Sequence, residues 1–187
     1  DQNRAVRAVL EAKRQAGRVI WLNPVPESKW QYLRSIQTMA ALVPMVSCST
    51  LRELAAACRA LAPCPTGEVR LTPGFRLAAK YVIHTAGPVW RDGKHGEPAL
   101  LAACYRNALL LCEERGIETV DFPSLSTGVF RYPTALAAAV AEKAIVDHLR
   151  AHALPRRVRM VCHREETAAI YRQTYNLWYA EEKKDRL

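Results

Sequence analysis

The chain has 187 residues, of which half are hydrophobic and 24% are charged, and its formal net charge is +9. These values indicate an ordinary globular domain and exclude a membrane span, because no apolar run approaches the roughly 18 residues that a span requires. We therefore predict a cytoplasmic protein with no membrane partner. Its positive charge predicts attraction to an anion and leaves open a nucleotide, a polynucleotide or an acidic protein.

Helical and strand-like periodicities alternate along the chain. This alternation predicts an α/β fold, a three-layer sandwich in which helices flank a mostly parallel or mixed central sheet. The first third is predicted to form a helix over 4–15, a strand over 18–22, a helix within 30–42, a short strand over 45–48 and a helix over 51–61 that Ser49 or Thr50 caps.

A segment rich in proline and glycine, PCPTGEVRLTPG at 63–74, is the obvious junction of the chain. The elements beyond it are longer. We predict strands over 80–86, 118–123 and 158–162, and helices over 98–114, 133–152 and 165–178.

The loop SLSTGVFRYP, from Ser124 to Pro133, follows the predicted strand 118–123. Ligands of open α/β sheets collect at the carboxyl ends of strands, where loops lead into helix N-termini. Backbone N–H groups around Gly128, with the hydroxyls of Ser126 and Thr127, can there surround a phosphate or a diphosphate. A plain turn from strand to helix, capped by the threonine, remains the alternative.

From Cys64 onward the chain resembles the second half of a macrodomain, an ADP-ribose-binding α/β module. The matching stretches are CPTGEVRLTPGFRLAAKYVIHTAGPVW, ALLAACYRNALLLCEERGIETVDFPSLSTGVFRYP and VCHREETAAIYRQ, in that order. The resemblance implies that residues of the loop wrap the diphosphate, that Phe130 lies against the distal ribose and that His163 lies beside the adenine. The resemblance thus implies ligand-binding roles for Ser126, Thr127, Gly128, Val129, Phe130 and His163. To these we add Thr85, Ala86 and Gly87, which end a predicted strand at the edge of the cleft, and Arg131, which either contacts a phosphate or closes the entrance. Arg131 departs from the family, which commonly has glycine there.

The first half of a macrodomain is not recognisable in this sequence. The family's Gly-Gly-Gly-Val-Asp type loop, which the resemblance associates with hydrolysis, has no counterpart, because the sequence contains no Gly-Gly pair. Residues 1–62 instead resemble the C-terminal end of a CoxE-like von Willebrand factor A domain, through GRVIWLNPVPESKW and IQTMAALVPMVSCSTLRELAAAC. We therefore predict that 1–62 and 63–187 form one composite domain.

Several residue types that often carry chemistry are predicted to be structural. His148 and His152 have metal-ligand spacing on a helix, but no third ligand is evident, so no metal and no cofactor is predicted. His84 is expected to pack or hydrogen-bond beneath the sheet edge. The six scattered cysteines show no C-x-x-C pair and indicate buried thiols, with Cys104 and Cys112 in the core.

Three functions follow from these patterns. The first is a catalytically impaired module that binds ADP-ribose or a related nucleotide diphosphate, either free or on an ADP-ribosylated protein. The second is an active ADP-ribosyl hydrolase, whose missing groups come from residues 1–60. The third is a ligand-free scaffold in which Arg131 fills the pocket. A homodimer formed through an exposed sheet edge is a further expectation.

Overall fold

The computed structural model describes residues 48–75 and 77–185. Helices and strands alternate in it, which confirms the predicted α/β class. The elements are α1 (Cys48–Ala60), β1 (Val69–Pro73), β2 (Tyr81–Thr85), α2 (Glu97–Glu114), β3 (Thr119–Phe122), α3 (Thr134–Ala151), β4 (Arg157–Met160) and α4 (Glu165–Asp185). None of the helices in the described ranges is long and apolar enough to cross a membrane.

The observed boundaries agree with the predicted elements to within a few residues from Tyr81 up to the start of α4, which extends seven residues further than predicted. Two predictions were wrong. The junction 63–74 contains β1, because the preference of Val69 and Thr72 for extended backbone outweighs the effect of Pro65 before the strand and of Pro73 at its end. Cys48 opens α1 rather than ending a strand. The elements predicted over 4–15, 18–22 and 30–42 lie outside the described residues.

Two compact units divide the chain, and each is described by itself. The first comprises residues 1–64 and 70–85, and its described part contains α1, β2 and most of β1. Here β1 pairs with β2, and the Gly74 N–H donates to the Lys80 carbonyl over 2.9 Å. Thr72 is buried and its Oγ1 lies 2.8 Å from His84 Nε2. His84 therefore makes the hydrogen bond expected of it.

The second unit comprises residues 65–69 and 86–187. In its described part β3 and β4 form a parallel pair, while α2 packs against α3 and α3 against α4. Alanines 137, 138 and 141 on α3 are fully buried, so the helices approach closely. Cys104 and Cys112 are also fully buried, which confirms their predicted place in the core. Burial raises the pKa of the Cys112 thiol to about 12, so this side chain is not a nucleophile.

A buried ion pair links the two parallel strands. Asp121 is the register partner of Arg159, and both its carboxylate oxygens accept hydrogen bonds of 2.7 Å from the guanidinium. The Asp121 side chain is only 4% exposed. A carboxylate in that position is tolerated because the bidentate arginine compensates for its lost hydration.

We expect Arg159→Met to lower the free energy of unfolding by about 3 kcal/mol, because it leaves a buried carboxylate unpaired. Urea denaturation followed by circular dichroism measures the change. The double variant Asp121→Leu/Arg159→Met removes both charges and is expected to recover most of the loss.

The matched control is Lys143→Met, which removes an exposed ion pair of similar length, 2.8 Å from Asp147. It is expected to change stability by less than about 1 kcal/mol. An equally small effect of Arg159→Met would show that the buried pair does not hold β3 and β4 together.

Candidate functional site

The loop 123–133 leaves the carboxyl end of β3 and leads into α3. It contains two residues other than glycine with positive φ, Ser126 at 63° and Arg131 at 55°. Two backbone hydrogen bonds of 3.0 Å close it, from the Arg131 N–H to the Gly128 carbonyl and from the Tyr132 N–H to the Ser126 carbonyl. The loop is therefore a compact, defined turn at the place where α/β proteins bind ligands.

Buried phenols fix the inner side of this loop. The Tyr105 hydroxyl, on α2, accepts the Leu125 N–H over 3.3 Å and lies 3.4 Å from the Pro123 carbonyl. The Tyr171 hydroxyl, on α4, lies 3.1 Å from Ser124 Oγ. Thr127 Oγ1 is within 3.0 Å of both the carbonyl and the hydroxyl of Ser124. Two helices thus position the first half of the loop.

Several backbone donors of the loop have no partner among the described residues. The backbone N–H groups of Ser126, Gly128, Val129 and Phe130 make no hydrogen bond within the described part of the chain. Gly128 is exposed, and a Cβ built on it would meet nothing within 4 Å. Successive unpaired N–H groups in a turn can form an anion-binding concavity.

The segment 86–87 lies directly against the loop. A Cβ on Gly87 would sit 2.2 Å from Ser126 Oγ, so any other residue there would displace the Ser126 hydroxyl. Ser126 is 6% exposed, and its Oγ has no hydrogen-bond partner among the described residues. A buried hydroxyl without a partner is uncommon and indicates a place where a ligand or water supplies one.

A second segment, 90–97, supports the loop from the side. The Trp90 N–H donates to the Phe130 carbonyl over 2.9 Å, and the Trp90 ring lies 4.5 Å from that of Tyr132. Glu97 is 2% exposed and accepts the N–H groups of His95, at 2.7 Å, and Arg91, at 3.1 Å. Burial opposes its ionisation, but these hydrogen bonds outweigh it and lower the pKa of Glu97 to about 2.

Most of the predicted ligand-binding residues come together. Residues 126–131 form the loop, and Ala86 and Gly87 lie beside it. His163 is exposed just after β4, whose parallel pairing with β3 brings both carboxyl ends to one edge. Thr85 is the buried last residue of β2 and belongs to the first unit. The binding roles assigned to these residues stay predictions.

Sequence reasoning missed the residues that support the loop. The site predicted from sequence does not include Tyr105, Trp90, Glu97 or Tyr171. The signal that points to Tyr105 and Tyr171 is the hydroxyl itself, because a buried tyrosine requires a hydrogen-bond partner that the helix cannot provide.

Comparison with known proteins places the chain in a family. The Macro domain family model matches residues 49–141. A macro domain-containing protein of Lactiplantibacillus plantarum is 48% identical over 120 residues, which are 63% of this chain and 69% of that protein. The chain belongs to the macro domain family.

Two further relatives are informative. The O-acetyl-ADP-ribose deacetylase of Salmonella typhimurium is 50% identical over 108 residues, and the match covers 58% of this chain and only 60% of that enzyme's length. The Oceanobacillus iheyensis macrodomain with ADP has a TM-score of 0.65 and 38% identity, covering 70% of this chain and 71% of that one.

The family match overlaps the first of the two segments expected from sequence. It begins at residue 49, inside the segment assigned to a von Willebrand factor A domain, so α1 belongs almost entirely to the macro domain match. None of the comparisons supports the von Willebrand factor A resemblance. The composite domain, which depends on residues outside the described ranges, stays a prediction.

One carboxyl group near the residues that support the loop is buried, and burial is unfavourable for its charged form. Glu142, on α3, is 8% exposed and its Oε2 has no partner among the described residues. Burial raises the pKa of Glu142 from its ordinary value of 4.5 to about 7. The neutral form is therefore the one that the folded protein accommodates.

We expect Glu142→Gln to stabilise the protein at pH 8 and to have little effect at pH 4. Because its pKa is raised in the folded state, Glu142 destabilises the fold progressively as pH rises from 4.5 to about 7. The free energy of unfolding at pH 8 is expected to rise by up to about 3 kcal/mol, because each unit of pKa shift corresponds to about 1.36 kcal/mol. Thermal unfolding at both pH values measures it.

The control is Glu166→Gln, an exposed glutamate in the first turn of α4. It is expected to show no such dependence on pH. Equal effects of Glu142→Gln at pH 4 and pH 8 would mean that Glu142 titrates normally in the folded protein.

Proposed function

We propose that this chain binds ADP-ribose, or a related nucleoside diphosphate, with the diphosphate on the loop 124–132, and that it does so without efficient hydrolysis. The observation that carries the proposal is the set of unpaired backbone donors at Ser126, Gly128, Val129 and Phe130. A diphosphate has the charge and the acceptor oxygens to satisfy several such donors together.

The charges around the loop support an anionic ligand. Arg131 is exposed at the end of the turn, and its guanidinium makes no ion pair within the described residues. The whole chain carries a net charge of +9. Since the Arg131 side chain is not buried, it is available to a phosphate, and we propose this contact in place of the glycine common in the family.

The relatives support the same ligand class. The similar Oceanobacillus iheyensis macrodomain has a structure with ADP, and the similar Salmonella protein is named an O-acetyl-ADP-ribose deacetylase. The compounds named in these two cases, ADP and O-acetyl-ADP-ribose, both contain adenosine diphosphate. We propose Phe130 and His163 for the ribose and adenine ends of the ligand, as the family resemblance implies, and an ADP-ribosylated protein as its natural carrier.

We expect Gly128→Glu to abolish saturable ADP-ribose binding in a calorimetric titration, because it places a carboxylate among the donors. The open space around Gly128 makes the change informative, since a new side chain meets no neighbour. Gly128→Gln, of the same size but uncharged, is the matched control. It is expected to weaken binding at least about tenfold less than the glutamate.

AMP and inorganic pyrophosphate are the comparators in this titration. Pyrophosphate is expected to bind and AMP to bind more weakly, if the loop recognises the diphosphate. No heat with any of the three ligands, from wild-type protein that circular dichroism shows to be folded, would favour the ligand-free scaffold and reject the proposal.

An active hydrolase is the second candidate, and the identity of 50% with the Salmonella deacetylase favours it. The sequence lacks any Gly-Gly pair, so the family's glycine-rich loop is absent. We therefore expect O-acetyl-ADP-ribose to be deacetylated about 10²- to 10⁴-fold more slowly than by the Salmonella relative, the range that a positioned acid or base contributes. Acetate release by the two purified proteins, assayed side by side, measures this ratio.

Comparable rates would show that residues of this chain replace the missing groups. In that case the hydrolase reading is correct and impaired catalysis is wrong. The Gly128→Glu variant serves as the control in this assay too, because any activity that depends on the loop is lost with it.

A further inference from the structure

We propose a site for a divalent transition metal ion, of which Zn²⁺ is the preferred example, formed by Glu113 on α2 and by His148 and His152 at the carboxyl end of α3. Each of the three residues offers one ligand atom, and those atoms lie within 4.8 Å of one another. Two imidazoles and one carboxylate form a ligand set typical of zinc. This site goes beyond the proposed binding of ADP-ribose.

The hydrogen bond of His148 already selects a ligand atom. His148 is 6% exposed, and its Nε2 lies 2.8 Å from the Leu154 carbonyl oxygen. A carbonyl oxygen only accepts, so Nε2 carries the hydrogen and Nδ1 of the neutral ring carries the lone pair. Metal-binding histidines are commonly oriented by such a hydrogen bond to a backbone carbonyl.

The other two ligands are already in contact. His152 Nδ1 lies 2.6 Å from Glu113 Oε2, and the rings of His148 and His152 stack with centroids 4.2 Å apart and an angle of 8°. A metal ion replaces the hydrogen between His152 Nδ1 and Glu113. In a neutral ring this hydrogen moves to Nε2, and in an imidazolium ring, whose Nε2 already carries a hydrogen, it is released to solvent. Zinc bonds of about 2.0–2.2 Å require this pair to open and the two stacked rings to turn away from parallel, because a metal ion lies in the plane of each imidazole that binds it.

The surroundings favour a cation that arrives from solvent. Glu113 is the penultimate residue of α2, and His152 is the C-cap of α3, with its N–H donating to the His148 carbonyl over 2.9 Å. Helix carboxyl ends carry partial negative charge and stabilise cations. The side chains of His152 and Glu113 are 33% and 36% exposed, so an ion can reach them.

A second cluster, of Asp92, His95 and Glu97, has a similar composition, but its carboxylates accept hydrogen bonds from the backbone. Both oxygens of Glu97 accept backbone N–H groups, and Asp92 Oδ1 accepts the Lys94 N–H over 2.9 Å. These carboxylates already have their partners and hold a turn together. The cluster therefore serves as an internal control and not as a second proposal.

Calorimetric titration of the full chain with zinc chloride, in a thiol-free buffer with a non-thiol reductant, tests the site. We expect one saturable zinc ion per chain, with affinity at least about tenfold weaker in Glu113→Gln and in His152→Gln. Glu114→Gln, the adjacent exposed carboxylate, and His95→Gln, from the other cluster, are the matched controls and are expected to change affinity less than twofold. The two test positions are partly exposed, so their variants are expected to fold.

A second measurement separates this site from the cysteines. Cobalt(II) bound by histidine and carboxylate gives no thiolate-to-metal charge-transfer band, whereas cobalt bound by cysteine does. Absence of saturable zinc binding, zinc binding lost in His95→Gln, or a thiolate band at the first equivalent of cobalt would each overturn the proposal. Zinc is also expected to raise the melting temperature of the wild type but not that of Glu113→Gln.

Discussion

The candidate site depends on two buried tyrosine hydroxyls. A loop can offer its backbone N–H groups to a ligand only if something other than those groups fixes its shape. Here Tyr105 from α2 and Tyr171 from α4 bind the loop through Leu125 and Ser124. Burial raises the pKa of Tyr105 well above its ordinary value, so its hydroxyl remains a hydrogen-bonding group at physiological pH. The donors at Gly128 and Val129 thereby stay unpaired without the loop losing its conformation.

Further supports come from segments that are distant in sequence. Gly87 permits the buried contact with Ser126, and Glu97 organises the turn from which Trp90 reaches Phe130. Because such a loop is already ordered, little conformational entropy is lost when a ligand binds to it, and the affinity is correspondingly higher. These supports belong to the residues that the family model matches, so the loop proposed to bind the diphosphate keeps them even though the first part of the sequence has no recognisable macrodomain pattern.

Sequence reasoning predicted the elements beyond Lys80 well, because their periodicities are long and regular and their ends carry prolines or glycines. It failed at β1, where three nearby prolines and two glycines concealed a five-residue strand. The loop itself was predictable, because Gly128 and its neighbouring hydroxyl residues directly follow a predicted strand. Its supports were not, because a hydrogen bond such as the one between Tyr171 and Ser124 joins residues 47 positions apart. Glu113, 39 positions before His152, was missed for the same reason.

The helix α3 separates the two proposed sites. The loop leads into it at Thr134, and the histidines lie at its other end, so its 18 residues put about 27 Å between them. A metal ion at Glu113, His148 and His152 is therefore too far away to act on a ligand at the loop. Its effect is to join the carboxyl ends of α2 and α3, whose packing places Tyr105 beneath the loop. Zinc would thus contribute to the stability of the unit that carries the loop, while the chemistry of binding remains with the loop's own donors.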